Sequence, residues 1–161
     1  MSERTFSDDI ILVSKTDLKG IITYANQEFI KIVGYKETEL IGKPHNIIRH
    51  PDMPRIVFKL LWDTLKSGKE INAYVINQCK NENDHYWVFA NVAASVDVKG
   101  NVLGYHSTRH TASKEALSII IPLYKELLEI EKRSGMDGSL KRLQEILNEQ
   151  GVSYDEFVLT I

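Results

Sequence analysis

The amino-acid sequence predicts an α+β fold: a five-stranded antiparallel sheet with a helical crossover packed on one face, followed by carboxy-terminal α-helices. Three observations predict it. Two short β-branched runs open the chain, a stretch with apolar residues spaced by three and four follows, and three longer runs of two-residue alternation come after that. Two strands, a crossover and three strands joined by short links are most economically satisfied by one sheet whose apolar face the crossover covers. The 161 residues, 43% of them hydrophobic, suffice for one core.

The first two strands are "IILVS" (residues 10–14) and "GIITYAN" (residues 20–26), split by "KTDLKG", which reads as a hairpin turn. Asn26 is placed to cap a short helix that Gly34 stops, and "KETELIGK" supplies another turn or two of helix, ended by Gly42 and Pro44. Pro54 then opens a firmer helix, because Val57, Phe58, Leu61, Trp62 and Leu65 recur along one side until Gly68. From Glu70 the period returns to two. "EINAYVINQCK", "DHYWVFANVAASVD" and "VLGYHSTRHTA", linked by "NEND" and "VKGN", form an antiparallel meander.

From Ser113 the chain is helical again. Leu117, Ile120, Ile121, Tyr124, Leu127 and Leu128 lie along one side of a first helix, with Pro122 expected to kink or restart it and "GMDG" to break it. Leu140, Leu143, Ile146 and Leu147 repeat the pattern until Gly151, and "SYDE" has the spacing of a capping box for one last short helix. The chain therefore divides into a sensor-like unit, residues 1–112, and a helical extension, residues 113–161. The extension is expected to serve as an output face or dimer seam, or else to pack back on the domain. Because the strand set is complete by Thr111, it is expected to be dispensable for any ligand site in the sheet.

Composition excludes several classes. A formal net charge of −2, with 20 basic and 22 acidic residues interspersed, gives no broad field for nucleic acid or an anionic membrane. No apolar run approaches the roughly 18 residues of a membrane span, and "MSERTFSDD" has no signal-peptide core, so a cytoplasmic protein is expected. The single cysteine, Cys79, fits a reducing compartment. The Gly-x-Ser-x-Gly, His-Glu-x-x-His, P-loop and Rossmann patterns are all missing, so no enzyme is expected. His106 and His110 would lie about 13 Å apart on a strand and cannot share a metal ion.

The densest chemistry is "GKPHNIIRHPDMPR" (residues 42–55), with three prolines, two histidines and two arginines between two apolar segments. Arg49 offers a planar fork of donors, His50 a donor or acceptor near neutral pH, and Asp52 an acceptor. All three stand just before a helix that carries Trp62. One account makes them a polar ligand clamp beside an aromatic wall. In the other, Asp52 caps the helix, Arg49 pairs with Asp52, and His50 is a satisfied loop histidine.

The segment "GIITYANQEFIKIVGYKETELIGK" resembles a PAS sensor domain. "PHNIIRHPDMP", with "WDTLKSGK", "KNENDHYWVFAN" and "GYHSTR", resembles more specifically the PAS domain of aerotaxis, or energy-taxis, receptors, over roughly residues 14–124. That resemblance implies noncovalent FAD binding, with redox state reported to a chemotaxis signalling module. It places the family's flavin-binding arginine, histidine and aspartate at Arg49, His50 and Asp52, and further cleft residues at Trp62, Asn77 and Arg109. It also implies a separate sensor subunit whose partner is a membrane-bound chemotaxis receptor chain, with a second copy of the chain as another candidate partner. Ile71 stands where these receptors carry tryptophan, and the crossover helix has no cysteine for light-driven adduct chemistry. A haem sensor with a histidine axial ligand and a cofactor-free interaction module are the alternatives. Two-residue alternation adds that if Asn77 faces the cleft, Val75 and Ala73 do too, whereas Trp87 points to the outer face as a packing or interface residue.

Overall fold

A computed structural model describes residues 2–161. After a two-residue strand, β1 (Ser2–Glu3), the chain makes the hairpin β2 (Leu12–Asp17) and β3 (Ile22–Ala25). The crossover holds α1 (Gln27–Val33), α2 (Glu37–Leu40), a 3-10 turn (His45–Ile48) and α3 (Arg55–Lys66). The meander β4 (Ile71–Gln78), β5 (Asp84–Val96) and β6 (Val102–Thr111) completes the sheet, and α4 (Lys114–Gln150) and α5 (Tyr154–Thr160) end the chain. The five expected strands pair antiparallel in the order β3-β2-β6-β5-β4.

The sheet has one unexpected member. β1 runs parallel to the start of β5 and has no apolar pattern of its own. Arg4 anchors it, donating to Asp84 Oδ2 at 2.7 Å and to the Ile32 carbonyl at 2.7 Å.

Local chemistry explains the turns. Asn26 caps α1 by accepting the Phe29 N–H, and the same amide bonds Val13 and Ile11 of the neighbouring segment, so one side chain fixes both elements. Asp17 Oδ1 accepts the Lys19 and Ile21 N–H groups to close the first hairpin. Gly104 is required where β6 passes β2, because a Cβ there would run into the Thr16 carbonyl oxygen.

The pleat sorts the sheet into two faces. Pairs Val75↔Val88 and Asn77↔Tyr86 lie on the inner face, under the crossover; Tyr74↔Phe89 and Ile76↔Trp87 lie on the outer one. The carboxy-terminal helices pack across that outer face. The Tyr124 ring lies 5.9 Å from Trp87, and its hydroxyl donates to the Tyr74 carbonyl at 2.6 Å and shares a 2.6 Å bond with the Tyr154 hydroxyl. Asp155 Oδ1 accepts the Asn72 N–H at 2.7 Å. Trp87 thus points outward, as alternation predicts.

Two helix expectations need correction. Pro122 does not break α4; it lies on the exposed side, where the carbonyl it frees at exposed Ser118 can be hydrated. The bend falls at Gly135 (φ 69°, ψ −172°), inside the expected "GMDG" breaker. Ile121 is 40% exposed, and Ala116 and Leu123 take its place in the buried stripe beside Ile120, Tyr124 and Leu127.

Candidate ligand-binding cavity

A cavity of about 380 Å³ opens between the inner face and the crossover. β4 contributes Val75 and Asn77 to its wall, and α3 contributes Phe58, Leu61, Trp62 and Leu65. Trp62 meets Tyr105 of β6 edge-on, with ring centroids 5.3 Å apart. Apart from Asn77 these residues make an apolar wall. Ala73 is fully buried and stays below the cavity, so only two of the three β4 positions expected to share its face reach it.

The polar end of the cavity is Arg109. It is 3% exposed; Nη1 donates to Ser14 Oγ at 3.0 Å and to Ser107 Oγ at 3.1 Å, and the guanidinium lies 4.5 Å over the Phe29 ring. Nε and Nη2 have no hydrogen-bond partner among the described residues. Burial pulls its pKa down, but a guanidinium stays charged at any physiological pH, and no Asp or Glu lines the cavity to neutralise it. A buried charge with two unused donors in the wall of a cavity is costly unless those donors find partners.

His45 stands beside it. The residue is only half-buried, but its ring points inward, stacked 6.1 Å from Phe29, with Nε2 2.9 Å from Ser14 Oγ and 3.5 Å from Arg109 Nη1. Burial of the ring, and then the Arg109 charge, push its pKa from 6.5 to about 3, so the imidazole is neutral, and the tautomer with its proton on Nδ1 lets Nε2 accept from both neighbours. The hydroxyl of wholly buried Tyr86, on the same face, also has no partner among the described residues, and burial raises its pKa.

The "RHPD" motif divides. Arg49 lines the cavity, its guanidinium 4.4 Å over the Phe58 ring, and its backbone bridges to Asn77 on the edge of β4, so two expected site residues meet directly. His50 is buried but lies outside the cavity lining; its Nδ1 accepts the Asp52 N–H at 3.0 Å and its ring meets His85 edge-on. Burial lowers its pKa. The Asp52 side chain is 64% exposed, touches neither Arg49 nor the cavity, and caps no helix. Of the six residues predicted for the site, the structure brings together Arg49, Trp62, Asn77 and Arg109.

A family model described as the PAS fold matches residues 22–109. The chain belongs to the PAS family. Over 121 residues it is 46% identical to the aerotaxis receptor of Escherichia coli (strain K12), covering 75% of this chain and 24% of that one. A nitrogen fixation regulatory protein of Klebsiella pneumoniae is 28% identical over 71 residues, 44% of this chain and 14% of that one. The PAS domain therefore spans about a quarter or less of the length of these curated relatives. Among solved structures it superposes on a light-oxygen-voltage domain with a TM-score of 0.60 at 20% identity, covering 72% of this chain and 86% of that one. The light state of the blue-light photoreceptor Aureochrome1 LOV gives 0.59 at 21% identity, covering 70% and 88%. At such identities the likeness concerns the fold alone.

Alternation could have found Ser14, which stands two residues after fully buried Leu12 and so shares its inward face. His45 had no such signal, because it sits in a 3-10 turn where spacing fixes no direction. Cys79, the only cysteine of this PAS domain, lies outside the cavity lining with Sγ 3.4 Å from the Ile32 carbonyl. Among the described residues no three His, Cys, Asp or Glu side chains gather as a metal site, and no helix is long and apolar enough to cross a membrane.

Proposed function

We propose that this PAS domain binds a flavin, specifically FAD, noncovalently in the inner-face cavity, and acts as a cytoplasmic energy-taxis sensor, not an enzyme, that signals to a membrane-bound chemotaxis receptor chain. The observation that carries the reading is Arg109, a buried guanidinium with two unused donors in the wall of a cavity without a carboxylate. A planar heterocycle edged with carbonyl and ring-nitrogen acceptors answers both features. The 46% identity to an aerotaxis receptor supports the assignment of the signal. The volume lies within the 300–1,000 Å³ typical of ligand pockets.

Each residue then has a task. Arg109 and Asn77 would hold the acceptor groups of the ring system, and Trp62, Tyr105 and Val75 would keep water away from it. Arg49 and Lys19, both lining the cavity, supply positive charge for a phosphate-bearing tail. Flavin, when bound, supplies a redox couple whose charge and protonation differ between the oxidised and reduced forms. Because neutral His45 shares Ser14 and Arg109, the hydrogen-bond network around the guanidinium can rearrange when the charge in front of it changes.

The test is an absorption spectrum of the purified protein, followed by titration of the stripped protein with FAD and with FMN. Flavin bands and tighter binding of FAD are expected. A colourless protein that takes up neither flavin overturns the reading, and a Soret band would replace it with haem.

A further inference from the structure

The carboxy-terminal helices pack against α3, the helix that walls the cavity, and one carboxylate ties the two together. Glu131, in the limb of α4 before the Gly135 bend, seats its carboxylate over the amino terminus of α3. Oε1 accepts the Arg55 N–H at 2.9 Å and Oε2 the Ile56 N–H at 3.1 Å. The Ser139 hydroxyl, beyond the bend, donates to Oε2 at 2.9 Å. The Glu131 side chain is 4% exposed, and Arg55 Nε lies 3.8 Å away.

No residue of the crossover does this work. Pro54 at the cap position has no acceptor side chain, and Asp52 faces solvent. A helix start leaves N–H groups unsatisfied, and a buried carboxylate there is both acceptor and countercharge. The helix so capped is the one that brings Phe58, Leu61, Trp62 and Leu65 to the cavity wall.

We infer that Glu131 is a positioning residue that links docking of the carboxy-terminal helices to the setting of α3, so that cavity occupancy and helix docking are two ends of one equilibrium. The inference rests on the cavity being a ligand site. Withdrawing the carboxylate strands the buried Ile56 N–H and leaves the half-buried Arg55 N–H to solvent, frees the first turn of α3 and shifts the wall that Trp62 belongs to. By linkage, a ligand that fixes the wall tightens helix docking by the same factor. The extension is then part of the binding unit, contrary to the expectation that it is dispensable.

The two tryptophans suit a test, since Trp62 reports the cavity and Trp87 the docked helices. FAD affinity and amide hydrogen exchange are measured on the full chain carrying Glu131→Ala, Glu131→Gln or Ser139→Ala. Glu131→Ala is expected to weaken FAD about tenfold, within the usual range of coupling between sites. Glu131→Gln, which keeps one acceptor, should weaken it less. Saturating FAD should slow exchange across residues 136–150 in the wild type but not in Glu131→Ala. A merely structural cap would lower melting temperature and leave affinity and the FAD-dependent protection unchanged, which overturns the inference. If Glu131→Ala does not fold, Ser139→Ala decides by the same readouts. If the wild type takes up no FAD, the flavin reading fails by itself. Trp62 emission in a Trp87→Phe background then decides the linkage: a shift on Glu131→Ala sustains it, and no shift overturns it.

Discussion

The two faces of the sheet solve the same problem in different ways. On the outer face the groups beneath the carboxy-terminal helices are satisfied, since Tyr124 bonds both the Tyr74 carbonyl and Tyr154 and Asp155 takes the Asn72 N–H, while His85 Nδ1 at the start of β5 has no partner among the described residues. On the inner face Arg109 keeps two donors unused, and His45 is held neutral beside a cation. Both faces belong to the same strands, so the contrast does not come from the sheet. The outer face is finished by the chain's own helices, whereas the inner face lines a cavity. A buried polar group without a partner costs about 1–3 kcal/mol, so each one calls for an explanation.

The sharpest way to break that contrast is Arg109→Met. Flavin affinity should fall at least about 100-fold, roughly 2.7 kcal/mol, while ligand-free stability holds or rises, since an apolar chain replaces an unpaired buried charge. Isothermal titration and chemical denaturation of the stripped protein measure the two quantities. Retained binding with a large loss of ligand-free stability would make Arg109 part of the scaffold, and the two faces would then be alike.

A second effect follows from His45. Its folded-state pKa of about 3 is depressed from 6.5, so between those values the unfolded chain binds a proton that the folded protein does not. Stability is therefore fully present above pH 6.5 and falls as pH is lowered towards 3. Water in the open cavity tempers the slope to about 1 kcal/mol per pH unit. Denaturant unfolding from pH 7 to pH 4.5 should show the slope in the wild type and a flatter one in His45→Gln; equal slopes would mean the ring is hydrated.

The outer face gives the complementary test. Tyr124→Phe strands the Tyr74 carbonyl and the Tyr154 hydroxyl in a dry interior and should lower stability by about 1–3 kcal/mol. Flavin affinity should stay in the wild-type range, because the docked arrangement still dominates. Loss of affinity comparable to that of Arg109→Met would erase the division of labour between the faces.

What was legible in the sequence follows the same line. β4, β5 and β6 were readable because β-branched and aromatic residues alternate through them, and once the family resemblance put Asn77 in the cleft the alternation put Trp87 outward. Arg109 and Trp62 came with the family resemblance, and strand and helix periods agree with where they sit. The missing pieces are the ones that no period governs. His45 occupies a 3-10 turn, β1 is held by one arginine, and Glu131 caps a helix that begins 76 residues earlier in the chain. A carboxylate on an amphipathic helix normally reads as solvated surface, and only tertiary contact turns it into a cap.

The smallest expected effect concerns the most conspicuous motif. Asp52 looks like the natural cap for α3, standing between two prolines just before the helix. Its side chain is instead exposed, and the Arg55 and Ile56 N–H groups are taken by Glu131. Asp52→Ala should therefore change stability by no more than about 0.5 kcal/mol and leave flavin affinity unaltered. Its neighbours should part company from it and from each other. Arg49→Ala, at the cavity, should weaken FAD with little change in ligand-free melting, and His50→Ala, buried behind the motif, should lower melting with little direct loss of affinity. Thermal melting and flavin titration of the three variants resolve the pattern. If Asp52→Ala alone lost a kilocalorie or more, the carboxylate next to the helix would be sharing the cap with the distant one.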